Sequence, residues 1–228
     1  WLPYDRNRLA ALGQDRTPQI KDFIPNISPL QIIDQHRSWL ADRMYPNLFY
    51  HQEIFQVLDS GDIWLSQTPH IPASLSFNSQ FPRLAIWANL EHIQSGHIFL
   101  IINTHLDHLH NETRLEQIEV LLHELQKLNL QTDHHLFMGY FNEGPFDGVQ
   151  TKIMKHYPKL IDPWITLQKK ETGSHHKFDG KNLDKKRIDW ILVSDTFNIN
   201  EIDFDISCVH NVYPSDHFPV KLSLRFRF

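Results

Sequence analysis

"DHHLFMGYFNEGP", residues 133–145, is the stretch on which the reading of this chain turns. Leu136-Phe137-Met138 is an apolar run of the right length for a buried strand. Gly139 ends it, and Asn142, Glu143 and Pro145 supply a turn. Polar groups just past the end of a buried strand are well placed to meet a ligand. Between Gly139 and Phe141, however, stands Tyr140, where a carboxylate would serve chemistry better.

Working outward, residues 111–128, "NETRLEQIEVLLHELQKL", have helical periodicity. Asn111 can cap this helix, and Leu115, Ile118, Leu121, Leu122, Leu125 and Leu128 make one apolar stripe for the core. Before it, "RLAIWANLEH" and "HIFLIINTHLD" read as a hairpin about Gln94-Ser95-Gly96. "NLFYHQ" and "IFQVLDSGDIWLS" read as strands, the second broken by a turn at Asp59-Ser60-Gly61-Asp62. "SPLQIIDQHRSWLADRM" suggests a short helix with Ser28 as N-cap and Pro29 at the first helical position. A helix is expected around 148–156, then a charged, glycine-containing loop over 169–186. Two strands follow, "RIDWILVS" and "PVKLSLRF". Strand pairs alternating with helices give an α/β protein with a mixed or antiparallel sheet. No composition shift divides the chain, so residues 1–228 are read as one domain.

With 228 residues, 41% of them hydrophobic and 21% charged, the chain can bury a sizeable core. Its net charge of −5 provides no overall positive field for nucleic acid or anionic membrane. Cys208 is the sole cysteine, which excludes an intramolecular disulfide and suggests a buried thiol. No apolar stretch approaches the roughly 20 residues needed to span a bilayer. A cytoplasmic location is the default expectation. Of the 16 histidines most are scattered, and the pairs His134-His135 and His175-His176 read as solvated loop residues.

Three strands end in polar clusters: "IINTHLDHLH", "MGYFNEGP" and, preceding its strand, "YPSDHFPV". Alternation puts Asn103, His105 and Asp107 on one face if the strand extends that far. A fourth feature is Arg187-Ile188-Asp189-Trp190, a charge pair opening an apolar strand. Histidines, an amide and carboxylates at neighbouring strand ends suit phosphoester hydrolysis. Carboxylates can hold a divalent ion against phosphate oxygens. An imidazole oriented by a carboxylate can take a proton or stabilise developing charge. A zinc hydrolase built on "THLDHLH" is a competing reading, although its His-x-Asp-His-x-His order departs from the usual His-x-His-x-Asp-His.

In order, these elements resemble the endonuclease/exonuclease/phosphatase superfamily of DNase-like metal-dependent phosphoesterases. "NTHLDH" resembles its Thr-His-Leu strand end, and "MGYFNEGP" its Gly-Asp-Phe-Asn element. "RIDWILVS" resembles its Arg-Ile-Asp-aromatic-Ile strand, and "YPSDHFPVKLSL" its Ser-Asp-His end. "VLDSGDIWLSQTPHIPA" with "PRLAIWANL" resembles a bacterial metal-dependent hydrolase branch. The resemblance implies a four-layer α/β sandwich around two mixed, mostly antiparallel sheets. It implies a phosphodiester or phosphomonoester ligand, on a phosphorylated small molecule or nucleic acid, with Mg²⁺ or Mn²⁺ as cofactor.

By the same resemblance, His105 contacts phosphate, Asn142 orients the scissile phosphate, and Asp216 positions His217 and ligates metal. His217 serves as base or transition-state stabiliser. Asp189 matches the strand aspartate, catalytic or bridging. Asn142 joins Asp216 as an implied metal ligand. His51, Arg83 and Tyr140 are implied to face the substrate, His51 standing where relatives carry arginine. Asp107 is a supporting candidate.

Tyr140 replaces the aspartate of Gly-Asp-Phe-Asn. A phenol, with a reference pKa of about 10, is neutral near pH 7 and supplies neither charge for Mg²⁺ nor a ready base. Impaired hydrolysis is therefore expected, or a silent phosphate-binding or regulatory module. The family's first strand and Gln-Glu metal element have no counterpart. Gln52-Glu53 aligns with a later strand, which makes Glu53 a poor metal ligand. The opening "WLPYDRNRLAALGQDR" resembles the region just after the Gln-Glu element, which suggests an N-terminally truncated domain with residues 1–45 as its remnant.

Overall fold

The computed structural model describes residues 28–33, 45–130, 132–181 and 186–227. Its centre is a six-stranded sheet in the order β3-β4-β5-β6-β8-β7. The strands are β3 (Phe55–Trp64), β4 (Leu84–His92), β5 (Ile98–His105), β6 (His135–Tyr140), β7 (Leu160–Ile161) and β8 (Asp189–Ser194). Only β5 and β6 run parallel, and the helix α1 (Asn111–Lys127) makes the crossover that this pairing needs.

Residues alternate between the two faces of the sheet, and both faces are buried. Ala85, Trp87, Leu100, Ile102 and Phe137 pack with Ile118, Leu121, Leu122 and Leu125 of α1 and with Val149 and Ile153 of α2 (Gly148–His156). On the other face Leu84, Ile86, Ala88, Leu90 and Phe99 meet two smaller sheets. One pairs β1 (Leu30–Ile32) with β2 (Phe49–His51), and the other pairs β9 (Phe197–Phe204) with β10 (Val220–Phe226). Among the described residues the second sheet is thus two separate pairs. A short helix α3 (Pro163–Thr166) completes the elements, its first turn capped by the Asp162 carboxylate.

The α1 stripe is core, as its period requires. The cap differs. His110 is the N-cap without a side-chain bond, while the Asp107 carboxylate accepts the backbone N–H of Leu109 and His110 at 2.8 and 2.9 Å. Strand β5 ends at His105, so Asp107 lies in this capping turn and not on the strand face.

Several expectations are corrected. Leu30–Ile32 is a strand and not the start of a helix, because pairing with Phe49–His51 outweighs the local capping signal. The rest of that expected helix, and residues 1–27 of the N-terminal remnant, lie outside the described residues. Strand β3 runs unbroken through Asp59-Ser60-Gly61-Asp62. A register shift between Val57 and Asp59 absorbs the irregularity. Gly61 serves packing: a Cβ there would stand 2.6 Å from Trp87 Nε1. Cys208 is exposed, on a loop beyond β9.

The histidine pairs are not simply solvated. His176 is fully buried and stacks on Phe218 at 3.9 Å. His175 is half-buried, and His135 lies within β6. His134 bonds Thr196 at 2.7 Å.

Candidate functional site

Strand register assembles the site. In the parallel β5–β6 ladder His105 is paired with Tyr140, and in the antiparallel β6–β8 ladder Tyr140 is paired with Asp189. Three residues far apart in sequence thus stand in one row across the sheet end. Gly139 makes the approach feasible, since a Cβ there would lie 2.2 Å from the Thr104 carbonyl oxygen. The His105 and Tyr140 rings stack at 4.5 Å between centroids.

Asp189 is buried, and its Oδ2 accepts from Ser174 Oγ at 2.6 Å and bonds His217 Nδ1 at 2.6 Å. Ser174 in turn accepts the backbone N–H of Ile188 at 3.0 Å. His217 meets the Tyr140 ring edge-on at 4.6 Å and the His175 ring at 4.8 Å. The backbone holds this corner rigidly. His175 and His217 form an antiparallel bridge, Phe218 N–H donates to Ser174 O, and His176 N–H donates to Asp216 O, both at 2.8 Å. Metal-ligating atoms of His175, Asp216 and His217 all lie within 4.8 Å of one another.

The adjoining turn is fixed by aromatic and polar contacts. Phe141 stacks on Trp190 at 3.4 Å, and Trp190 Nε1 donates to Glu143 O at 3.0 Å. Asn142, with φ of 58°, donates from Nδ2 to Leu106 O at 2.9 Å, tying the ends of β5 and β6. Glu143 accepts from Val149 N–H at 2.6 Å and from Arg114 Nε at 2.9 Å.

Electrostatics keep His105 neutral. Burial, then the charges of Arg83, His217 and His108, hold its pKa well below the usual imidazole value. Burial also lowers the pKa of Arg83, against the opposing pull of Asp107 and Tyr140. Arg83 Nη2 lies 3.2 Å from His108 Nδ1, and its Nε is buried with no hydrogen-bond partner. For Asp107, burial raises the carboxyl pKa, but the N–H groups of His110 and Leu109, Ser79 and Arg83 outweigh it and lower the value.

His105, Tyr140, Asp189, Asp216 and His217 thus form one connected cluster, with Arg83 at its margin and Asn142 bonded to Leu106 O in the adjoining turn. His51 stands apart on β2. Its Nδ1 is buried and unpartnered, and no hydrogen bond, ion pair or ring contact among the described residues joins it to the cluster. Glu53 is exposed in the turn after β2. Sequence reasoning missed Ser174 and His175. Only the backbone bridge to the Ser-Asp-His segment recruits them, and a bridge across some forty residues leaves no local signal.

No protein-family model matches the chain, and no curated protein matches it significantly. Solved structures do. A mannosyl-6-phosphatase of Bacteroides thetaiotaomicron VPI-5482 superposes with a TM-score of 0.78 at 24% identity, covering 96% of this chain and 88% of that one. An endonuclease/exonuclease/phosphatase of Bacteroides vulgatus gives 0.78 at 22%, covering 92% and 82%. TDP2 of D. rerio, complexed with a single-strand DNA product, gives 0.67 at 16%, covering 96% and 89%. The chain therefore has the fold of the endonuclease/exonuclease/phosphatase superfamily, the grouping its four ordered motifs resemble.

Proposed function

We propose that residues 1–228 form one phosphoesterase-type domain of this superfamily whose cleft receives the phosphoryl group of a phosphorylated small molecule, with hydrolysis impaired by Tyr140. The observation that carries this reading is the convergence of Arg83, His105 and His217 on the Tyr140 corner, with a buried guanidinium Nε that has no partner. A desolvated cation with an unused donor is well matched to an anion.

Within this proposal each residue has a task. Asp189 fixes the ring orientation of His217 through Nδ1. His105, held neutral, donates a hydrogen bond without a full charge. Asn142 and Arg83 orient the phosphoryl oxygens, and Arg83 supplies the positive charge. Tyr140 presents a ring and a hydroxyl where a water-activating carboxylate would project.

The donor set does not fit Mg²⁺ well. That ion asks for several hard oxygens in octahedral array. Here Asp216 and the Asn142 amide are the available oxygens, Tyr140 adds only a phenol oxygen, and Asp189 is already bonded to Ser174 and His217.

The Tyr140 substitution equally supports a silent phosphate-binding or regulatory module. The zinc reading of "THLDHLH" has no support in the geometry. Asp107 is consumed by its capping turn and Ser79, and His108 by Arg83 and the Phe81 ring. Net charge of −5 favours a small ligand over nucleic acid. A cytoplasmic place stays part of the proposal. Among the described residues, no helix is long and apolar enough to cross a membrane.

Isothermal titration with inorganic phosphate tests the binding half. Saturable binding is expected, lost in Arg83→Leu and weakened in His217→Ala; no heat with phosphate, but binding of a single-stranded oligonucleotide, would overturn the ligand class. Hydrolysis of a generic phosphodiester with Mg²⁺ or Mn²⁺ tests the other half. Little turnover is expected, and robust turnover abolished by His217→Ala would overturn the impairment.

A further inference from the structure

We infer that His175, Asp216 and His217 form a binding site for one divalent transition-metal ion of the zinc type, in place of a magnesium centre. The inference deepens the phosphate-cleft reading by naming the cation beside it, and it rests on that reading only for the ion's use.

Three independent features of the corner support it. The first is donor chemistry. Two imidazoles and one carboxylate suit Zn²⁺ and its neighbours, whereas hard all-oxygen sets suit Mg²⁺. Their ligating atoms lie within 4.8 Å of one another. Ligands about 2.0–2.1 Å from a tetrahedral ion stand roughly 3.3 Å apart, so the set need draw in by no more than about 1.5 Å.

The second feature is orientation. His217 Nδ1 is bonded to Asp189 at 2.6 Å, which assigns Nε2 as the ligating nitrogen. Carboxylate–histidine–metal triads use the same device to fix ring and tautomer. Ser174 holds the carboxylate in turn, again at 2.6 Å, so the support extends two shells beyond the ion.

The third feature is backbone preorganisation. The His175–His217 bridge and the His176 and Phe218 N–H bonds lock the two ligand-bearing segments side by side. Asp216 contributes its carbonyl to this lock and keeps its carboxylate for the ion. His175 and Asp216 are half-buried, so the site has an open side for water or a phosphoryl oxygen.

Metal-free protein in phosphate-free buffer should take up one equivalent of Zn²⁺ at this site by isothermal titration, and Mg²⁺ should not displace it. His175→Phe and Asp216→Asn should each lose that equivalent while keeping the far-ultraviolet circular dichroism of the parent. Asp189→Asn should weaken binding about 10- to 100-fold, the usual cost of removing such a partner. Co²⁺ provides a readout that needs no variant: strong visible absorption bands from a four-coordinate ion are expected. An unchanged Zn²⁺ equivalent in both ligand variants would overturn the inference, as would equal Mg²⁺ competition or a weak six-coordinate Co²⁺ spectrum. Because phosphate is absent, a failed metal titration leaves the Arg83-dependent phosphate titration to be judged separately.

Discussion

Arg187 and Asp189 stand two residues apart at the start of one strand, and they have opposite surroundings. Arg187 is fully buried and closed on itself. Its Nη1 and Nη2 donate to the two oxygens of Asp162 at 3.0 and 2.6 Å, and its Nε to Glu171 at 3.2 Å. Trp164 covers the guanidinium at 5.1 Å, and Gln150 donates to Asp162 at 2.9 Å. Asp189 also holds two partners, yet one is His217, which leads on to Tyr140, His175 and Asp216. The Arg187 cluster joins α3, the 169–186 loop and β8. The Asp189 cluster ends on His175 and Asp216, which are half-buried. Ionisable residues in one four-letter word can thus divide between holding the fold and preparing a site, and partner count alone does not separate them. What separates them is burial of the last partner: Asp162 is buried, whereas His175 and Asp216 are half-buried.

Sharpening the Asp189 cluster has the largest expected effect. Tyr140→Asp restores a carboxylate in the row between His105 and Asp189. With Mg²⁺ or Mn²⁺ it should raise phosphodiester hydrolysis by about 10²–10⁴, the usual range for an acid–base group. A His217→Ala change in that background should remove the gain, and steady-state rates check both.

Breaking the Arg187 cluster comes next. Arg187→Ala leaves Asp162 as an uncompensated buried charge, so a loss of about 3–5 kcal/mol is expected in urea unfolding. An effect on stability below 1 kcal/mol would end the contrast drawn above.

Ser174→Ala tests the hinge between the two clusters. It removes a charge-assisted hydrogen bond to Asp189, worth about 1.5–3 kcal/mol, and lets the His217 ring reorient. Stability should fall modestly, and His217 side-chain NMR signals should move.

The smallest effect concerns pH. His105 has its pKa depressed in the folded protein, chiefly by burial. The unfolded chain takes up a proton near pH 6.5, so stability is full above that value and lost as pH falls through it. His176, His134 and His135 are depressed in the same direction, also mainly by burial. Denaturant midpoints should therefore drop between pH 7.5 and 5.5, with a shallower drop in His105→Gln.

Much of the architecture was legible. The leucine stripe of α1 and the apolar runs of β4, β5, β6 and β8 carry strong periodicity, and burial agrees with it. Strand β9 was not, because Asn198, Asn200, Glu201 and Asp203 make "FNINEIDF" look like a turn. Pairing with β10 fixes it, and Phe197, Ile202 and Phe204 supply the buried side. The Asp59–Asp62 stretch misled for the converse reason: its turn-like composition is overruled by nine cross-strand pairs. At the site, the row of His105, Tyr140 and Asp189 follows from words whose order was readable. Arg83 was readable as a neighbour of β4. His175 was not, since no periodicity marks a residue that joins by a single bridge.

The junction of a parallel and an antiparallel ladder at Tyr140 has a further consequence. Side chains along a strand alternate in direction, so slippage of β6 by one residue would send the phenol to the opposite face and bring Met138's neighbour or Phe141 into its place. The placing of Tyr140 between His105 and Asp189 therefore depends on the alignment of β6 with both neighbours. An insertion of one residue within β6 should displace Tyr140 from its row with His105 and Asp189, whereas one in the preceding loop, which leaves the pairing with β5 and β8 unchanged, should not.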